Sequence, residues 1–303
     1  MKKLRYALEG VFLYLLFGLF RITGPEKASN FGGWIGRTIG PRMAVSRKAR
    51  ANIALAFPEL LEDRREAILT GMWDNLGRVI AEYPHLETLS RDYTKITGTE
   101  LLSPLFESGG PAVFIGAHFG NWEVNCAAFL TQLGRPIDLT YREPNNPWTA
   151  KLLDRARTLG GRLRGFPKSA ESGRGILGAL RENHYLGILI DQKYNEGVAV
   201  PFFGHAAMTN PIFVQLAQRY QCPVFPAKIE RIEGCRFKGT VYPALKLFDE
   251  QGNALPIEEV IKEAHGVLEG WIRERPEQWL WLHRRWPKDC ESSAQPSSSP
   301  QRV

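Results

Sequence analysis

The chain has 303 residues, 44% of them hydrophobic, so it is long enough for a substantial core, and we favour one domain with a helical extension over one large domain. Its net charge of +7 is local, because residues 1–50 hold ten Lys or Arg against Glu9 and Glu26, and the remainder is close to neutral. Nucleic acid is not expected as a partner, because the sequence has no basic helix interleaved with base-stacking aromatic residues and no zinc-finger spacing.

The cysteines and histidines give no sign of a bound metal. The sequence has no CxxC pair, no cysteine-histidine spacing suited to zinc and no HExxH motif. We therefore expect no metal and no cofactor, and we interpret the four cysteines as reduced structural thiols in a cytosolic compartment.

Residues 1–24 are predicted to form an N-terminal membrane anchor helix. Lys2, Lys3 and Arg5 precede the apolar run YALEGVFLYLLFGLF at 6–20, and no small-residue cleavage site follows, which argues against a signal peptide. At 1.5 Å per residue this run spans about 22 Å, less than the roughly 30 Å hydrocarbon core, so the helix either barely spans or lies in the interface. A buried core helix is the remaining alternative.

The rest of the chain divides into a helical platform at 25–92, an α/β domain at 93–290 and a tail at 291–303 that we expect to be disordered. In the platform, periodicity predicts helices near 26–40, 46–56 and 62–83. The α/β domain has predicted strands near 111–117, 136–141, 185–190, 198–203, 222–229 and 235–242. Its predicted helices lie near 122–133, 147–160, 171–183, 208–220 and 257–274. This alternation indicates an α/β fold with a mixed central sheet flanked by helices.

The segment FIGAHFGNWEVN at 114–125 carries the candidate catalytic residues. A neutral imidazole at His118 suits the removal of a proton from an alcohol that attacks an acyl thioester, and Glu123 supplies a carboxylate that can hold the ring in one tautomer. Positions five apart in a helix lie about 140° apart, so His118 is predicted at a strand-to-helix turn, which Gly116 and Gly120 permit. The alternative is a hydrogen-bonded His at the edge of the core.

Charged residues further along the chain are candidates for substrate binding. Asp191 ends the apolar run 185–190, so a parallel strand would deliver it to the carboxyl edge of the sheet, where ligands bind. A capping or turn role is the alternative. A basic series could hold phosphates or form solvated helical faces, and its members are Arg142, Arg157, Arg162, Arg164 and Lys168.

Other motifs are excluded or left open. Gly173, Gly175 and Gly178 satisfy GxGxxG, but no apolar strand precedes them, so no dinucleotide site is predicted. The absence of a GxSxG elbow and of a P-loop removes the main support for a serine hydrolase or an NTPase. The run QWLWLHRRW at 278–286 suits either a membrane interface or an aromatic core element with its arginines directed outward.

Together these motifs resemble the late, or secondary, acyltransferases of bacterial lipid A biosynthesis, of the lauroyl and myristoyl transferase type. The resemblance covers nearly the whole chain and rests on HFGNWE at 118–123, YR at 141–142 with NP at 146–147, DQ at 191–192, VPFFG at 200–204 and WLHRRW at 281–286. It implies a glycerolipid-acyltransferase-like fold and an enzyme on the cytoplasmic face of the bacterial inner membrane.

The resemblance also implies a reaction, the transfer of a fatty acyl chain from acyl carrier protein to a hydroxyl on an acyl chain of a lipid A precursor. His118 would be the general base and Glu123 its partner. Substrate-binding or supporting roles are implied for Asn121, Arg142, Arg157 and Asp191. Local length differences leave Arg162 and Arg164 as alternatives to Arg157.

Two other functional classes stay open. An acyltransferase acting on a lysophospholipid, ornithine lipid or another glycolipid would share the chemistry and differ in its lipid product. A non-catalytic membrane-associated scaffold would keep its function when His118 is replaced by Ala.

Overall fold

The computed structural model describes residues 2–141, 143–167 and 170–287. In these ranges the α-helices are α1 (Lys2–Thr23), α2 (Pro25–Ile39), α3 (Ser46–Ala56), α4 (Glu62–Glu82), α5 (Leu86–Asp92), α6 (Ser103–Ser108), α7 (Trp122–Leu133), α8 (Pro147–Arg157), α9 (Ala170–Arg181), α10 (Ile212–Tyr220) and α11 (Ile257–Glu274). The β-strands are β1 (Thr94–Thr97), β2 (Ala112–Gly116), β3 (Ile137–Tyr141), β4 (Gly165–Pro167), β5 (Tyr185–Leu189), β6 (Val198–Phe202), β7 (His205–Thr209), β8 (Val224–Glu233) and β9 (Arg236–Val241).

Seven strands form one mixed sheet in the order β1-β9-β8-β2-β5-β3-β4. β2 pairs in parallel with β5 and β8, and β3 pairs in parallel with β5 and β4. β8 and β9 are antiparallel, and β1 runs parallel to β9. All five residues of β2 are buried, as expected for a strand covered on both faces. The predicted α/β fold with a mixed, helix-flanked sheet is confirmed.

Helices cover both faces of this sheet. The connections β2–α7–β3 and β3–α8–β4 run across the sheet towards the β4 edge, whereas β4–α9–β5 and β5–α10–β8 run back. Because such connections are right-handed, α7 and α8 lie on one face of the sheet, and α9 and α10 lie on the other. On the α7 face, the Phe114 ring lies 4.8 Å from that of Phe129. On the α9 face, Leu186 packs with Leu180 and Leu216.

The platform depends on close contact between α2 and α4. A Cβ atom at Gly36 would overlap the carbonyl oxygen of Trp73, and one at Gly32 would overlap that of Gly77. The two backbones therefore touch without intervening side chains. Asn52 of α3 joins the platform to the C-terminal segment, because its amide donates to the carbonyl oxygen of Trp281 at 2.7 Å.

Helix α1 lies on the body by one side and is exposed on the other. Phe17 and Phe20 are buried, whereas Phe12, Leu15 and Ile22 are 68%, 69% and 82% exposed. The segment Lys3–Thr23 has the length and the apolar composition of a membrane span. An exposed apolar side does not fit the core-helix alternative.

The C-terminal aromatic run is part of the core, so the membrane-interface interpretation is wrong. Trp279, Trp281 and Trp286 are at most 2% exposed. Arg285 is also fully buried and donates to Met208 and Thr209 of β7, which contradicts the outward arginine of the alternative. Burial lowers the pKa of Arg285 to about 10.

Short elements account for most of the other differences from the prediction. The strands at Thr94–Thr97, Gly165–Pro167 and His205–Thr209 were not predicted. The helix predicted at 208–220 begins only at Ile212, because β7 pairs with β6 in a hairpin whose turn residues Phe203 and Gly204 both have positive φ. The division at 24, 92 and 290 stays a prediction, and the tail at 291–303 lies outside the described residues.

Replacing Gly36 by Ala should lower the stability of the protein by about 1–3 kcal/mol, because the new methyl group overlaps the Trp73 carbonyl. Gly270, in α11, is the matched control, since a Cβ there meets nothing within 4 Å. Gly270→Ala should raise stability by about 0.5–1 kcal/mol through helix propensity. Thermal unfolding in detergent would measure both, and equal shifts would contradict the close α2–α4 contact.

Candidate active site

The turn after β2 presents His118 at the carboxyl edge of the sheet, as predicted. Gly120 has φ +58°, and a Cβ there would overlap the carbonyl oxygen of Ile229, so glycine is required on both counts. Phe119 forms a bridge to Trp279, and the Gly120 N–H donates to the Gln278 carbonyl. The C-terminal segment therefore holds this turn in place.

A carboxylate holds the imidazole of His118 in one orientation. Nδ1 lies 2.9 Å from Asp191 Oδ1, and the backbone N–H of His118 donates to Asp191 Oδ2 at 2.8 Å. The Trp279 indole N–H donates to the same Oδ2 at 2.8 Å. An ionised carboxylate only accepts, so Nδ1 carries a proton, and in the neutral imidazole Nε2 is then the nitrogen with the lone pair.

The environment keeps Asp191 charged. Burial would raise the pKa of this carboxyl, but the neighbouring His118 and the hydrogen bonds from His118 and Trp279 outweigh burial and lower the pKa below its usual range. Asp191 is 4% exposed and lies where the parallel strand β5 ends. Asp191 therefore contacts His118 and Trp279, and the alternative of a helix-capping or turn role is not supported.

Glu123 is not the carboxylate that bonds His118, which corrects the predicted pairing. It accepts hydrogen bonds from Arg157 at 2.8–3.0 Å, from the Trp122 indole at 3.1 Å and from the Tyr83 hydroxyl. The physical reason is its position in the first turn of α7, where it faces α8, while the Trp122 ring packs at 5.2 Å from that of His118.

Arg157 is the arginine that reaches the site. Burial lowers its pKa, but Glu123 and Tyr83 outweigh burial and the net pKa is raised, so it is a fixed cation. Arg162 instead pairs with Glu87 at the surface, and Arg164 pairs with Asp138. Arg142 and Lys168 lie outside the described residues.

Asn121 is fully buried, so it is not placed to contact a substrate as predicted. Its side-chain oxygen accepts from the Glu123 N–H and caps α7, and its amide donates to Glu82 at 2.7 Å. Glu82 forms a buried ion pair with Arg231, whose Nη2 lies 2.9 Å from Oε2. Asn121 is thus part of the support beneath the turn.

Two polar residues beside His118 were not predicted as site residues. The Gln192 amide nitrogen lies 3.3 Å from His118 Nε2 and 3.3 Å from His283 Nε2. The signal was available for Gln192, which directly follows Asp191. His283 could not be assigned, because its run fitted a core element equally well.

His118 lines a cavity of about 680 Å³. Polar residues line the end near the carboxyl edge of the sheet, and they include His118, Glu123, Arg157 and Gln192. Elsewhere the lining is mainly apolar, and it includes Phe114, Cys126, Phe129, Ile137, Leu139, Phe166, Ile176, Ile188, Ile212 and Leu216. Burial raises the pKa of the Cys126 thiol to about 12, so it is a neutral wall residue. Such a cavity suits a hydrocarbon chain with a reactive head.

The described residues contain no cluster of three or more His, Cys, Asp or Glu arranged to hold a metal ion.

Comparison with known proteins identifies a family and several relatives. The sequence model of the family described as bacterial lipid A biosynthesis acyltransferase matches residues 1–288. The chain is 24% identical to the lipid A biosynthesis palmitoleoyltransferase of Escherichia coli K12, over 78% of this chain and 77% of that protein. It is 26% identical to the lipid A biosynthesis acyltransferase of Haemophilus influenzae (82% and 78%) and to the lauroyltransferase of Escherichia coli K12 (77% and 76%).

Replacing Arg231 by Met should lower the free energy of unfolding by about 3–5 kcal/mol, because it leaves the fully buried Glu82 without its cation. Arg37→Met is the matched control, since the pair of Arg37 with Asp74 is partly exposed and should contribute less than about 1 kcal/mol. Denaturant unfolding would compare them. A similar loss in both variants would show that the buried network does not carry this stability.

Proposed function

Because the chain belongs to the bacterial lipid A biosynthesis acyltransferase family, we propose that it transfers a fatty acyl chain from acyl carrier protein to a hydroxyl on an acyl chain of a lipid A precursor. The observation that carries this proposal is an imidazole, fixed by a buried carboxylate, at the polar end of a largely apolar cavity. The imidazole can move a proton, and the cavity can hold a chain.

In the proposed mechanism, His118 is the general base. Its Nε2 takes the proton of the acceptor hydroxyl as the oxygen attacks the thioester carbonyl, which forms a C–O bond and an oxyanion. Collapse of this intermediate breaks the C–S bond, and the imidazolium returns the proton to the departing thiolate. Asp191 keeps Nδ1 protonated and stabilises the imidazolium, which assigns it the orienting role that the sequence placed on Glu123.

The oxyanion needs a hydrogen-bond donor beside the base. The Gln192 amide is 3.3 Å from His118 Nε2, and its residue lines the cavity. We assign it this role, in which one donor contributes about 10²–10³-fold to turnover.

Glu123 and Arg157 are assigned to substrate positioning. Together with Tyr83 they clamp α8 to α7 at the polar end of the cavity. The Arg157 Nη1 group is buried without a hydrogen-bond partner among the described residues, and Arg157 lines the cavity. An anionic or carbonyl oxygen of a substrate would satisfy this N–H.

Helix α1 supports a proposed site of action at the membrane. An exposed apolar helix beside the basic N-terminal segment fits attachment to a membrane with anionic lipids, so we place the enzyme on the cytoplasmic face of the bacterial inner membrane. The basic surface also suits the acidic acyl carrier protein and the phosphates of the acceptor.

His118→Ala should lower turnover by about two to four powers of ten and leave membrane association unchanged, because it removes proton transfer and no core packing. Lipid A from cells lacking the protein, complemented with wild type or with this variant, would be compared by mass spectrometry. Only wild type should add the mass of one acyl chain. Unchanged lipid A with a heavier phospholipid or other lipid would overturn the acceptor, and an active His118→Ala would overturn the base.

Asp191→Asn should lower kcat by about two to four powers of ten, because the amide no longer fixes the imidazole tautomer. Glu123→Gln keeps the side-chain shape and loses the charge opposite Arg157, so it should mainly raise KM, by about tenfold. Steady-state kinetics on purified protein would separate the two effects. A larger loss of kcat in Glu123→Gln than in Asp191→Asn would contradict the assignment of Asp191.

A further inference from the structure

The central sheet opens at its carboxyl edge between β3 and β5. Their register runs from Ile137 opposite Tyr185 to Leu139 opposite Gly187, yet both strands continue for two more residues. Beyond that point β5 stays paired with β2, and β3 stays paired with β4. The Thr140 hydroxyl donates to the Gly187 carbonyl at 3.1 Å, where a backbone donor would otherwise be needed.

Because of this gap, the cavity reaches both faces of the sheet. Alternate residues of a strand point to opposite faces, and the lining takes both parities from β2 and from β5, as with Phe114 and Ile115. The α7 branch, as we call the part on the α7 face, is lined by Phe114, Cys126, Phe129, Ile137 and Leu139. The α9 branch, on the α9 face, is lined by Ile115, Phe166, Ile176, Ile188 and Leu216.

The two branches differ in packing. The α7 branch ends on a closed aromatic floor, where the Phe114 ring lies 4.8 Å from Phe129 and 5.6 Å from Phe225. The α9 branch adjoins a cluster of three buried leucines, and four half-buried side chains that pack against this cluster also line the cavity, including Phe166 and Ile176. Unfilled apolar surface of this kind is what a bound chain would cover.

Resting on the proposed function, we infer that the enzyme binds two hydrocarbon chains at once, the acceptor chain in the α7 branch and the donor chain in the α9 branch. The chains run along opposite faces of the sheet and meet at the gap beside His118. The acceptor hydroxyl and the thioester carbonyl then reach the same imidazole from two sides. Transfer is direct, since the C–O bond forms as both chains are held, and the thiol leaves through the open polar end.

The position of α1 decides which chain lies in which branch. Phe17 of α1 packs in one cluster with Val124 of α7 and Leu152 of α8, so the apolar helix lies in the layer over the α7 face. The Asn146 amide, at the start of α8, donates to Glu9 and to the Tyr6 carbonyl of α1 at 3.1 Å. A lipid held in the membrane approaches along this layer, whereas a donor on a soluble carrier approaches the opposite one.

Photo-crosslinking of the wild-type protein tests this arrangement. The donor acyl carrier protein and the lipid acceptor would each be prepared with a diazirine at the end of the relevant chain, and crosslinked peptides identified by mass spectrometry. The donor should label residues around Ile176 and Leu216, and the acceptor those around Cys126 and Phe129. Exchanged labels, or both labels in one branch, would overturn the inference.

A first assay with unlabelled substrates separates this inference from the proposed function. If wild type transfers no chain to the lipid acceptor, the proposed function fails and the inference fails with it. If transfer occurs but the crosslinks fall elsewhere, the inference alone is overturned.

Filling each branch gives an independent readout. Ile176→Phe should shift the donor preference to shorter chains, with a roughly tenfold or larger loss for the longest one, and leave the acceptor KM unchanged. Cys126→Phe should raise the acceptor KM and leave the donor preference unchanged. Leu177→Phe is the matched control, because it makes the same kind of change at the next position of α9, outside the lining. A shift of donor preference in Cys126→Phe would overturn the assignment.

Discussion

The buried ion pair of Glu82 and Arg231 is the interaction on which the site depends. Glu82 is the last residue of α4 in the platform, and Arg231 lies on β8 of the sheet. Glu82 also accepts from Asn121 at the start of α7, while the Arg231 backbone exchanges hydrogen bonds with the Gln278 side chain. One pair of opposite charges therefore joins the platform, the sheet, the turn that carries His118 and the C-terminal segment. Removed from water, such a pair is stable only while every partner stays in place.

The helices and strands with strong hydrophobic periodicity were predicted well, because the pattern of buried residues can be read from neighbouring positions in the sequence. The bounds of α3, α7 and α11 agree with the prediction, and His118 lies at the predicted turn. The sheet was recognised from the alternation of apolar runs and amphipathic segments. Three-residue β4 is too short for a period to show, and the hairpin strand β7 (HAAMT) was missed because its alanines are poor strand formers.

The sequence predicted which residues lie in the candidate site better than it predicted which of them contact each other. Asp191 and Arg157 were both named, but contact between His118 and Asp191 joins residues 73 positions apart, and no local spacing reports it. The short separation of His118 and Glu123 in the sequence suggested that they form a pair. In the structure, the first turn of α7 directs Glu123 away from His118 and towards Arg157. Asn121 was mistaken for a substrate contact because a helix cap and a ligand contact favour the same residue type. Burial distinguishes them, and burial depends on the whole fold.

The indole of Trp279 donates one of the hydrogen bonds that hold Asp191, and Trp281 is held by Asn52, which lies 229 positions earlier in the chain. The turn that carries His118 is supported by the Gln278 carbonyl, which accepts from the Gly120 N–H. A growing polypeptide lacks all three contacts until residues 278–281 have been made, long after the apolar α1. The apolar helix is thus complete before the contacts that hold His118 and Asp191 can form, and an incompletely synthesised chain lacks that support.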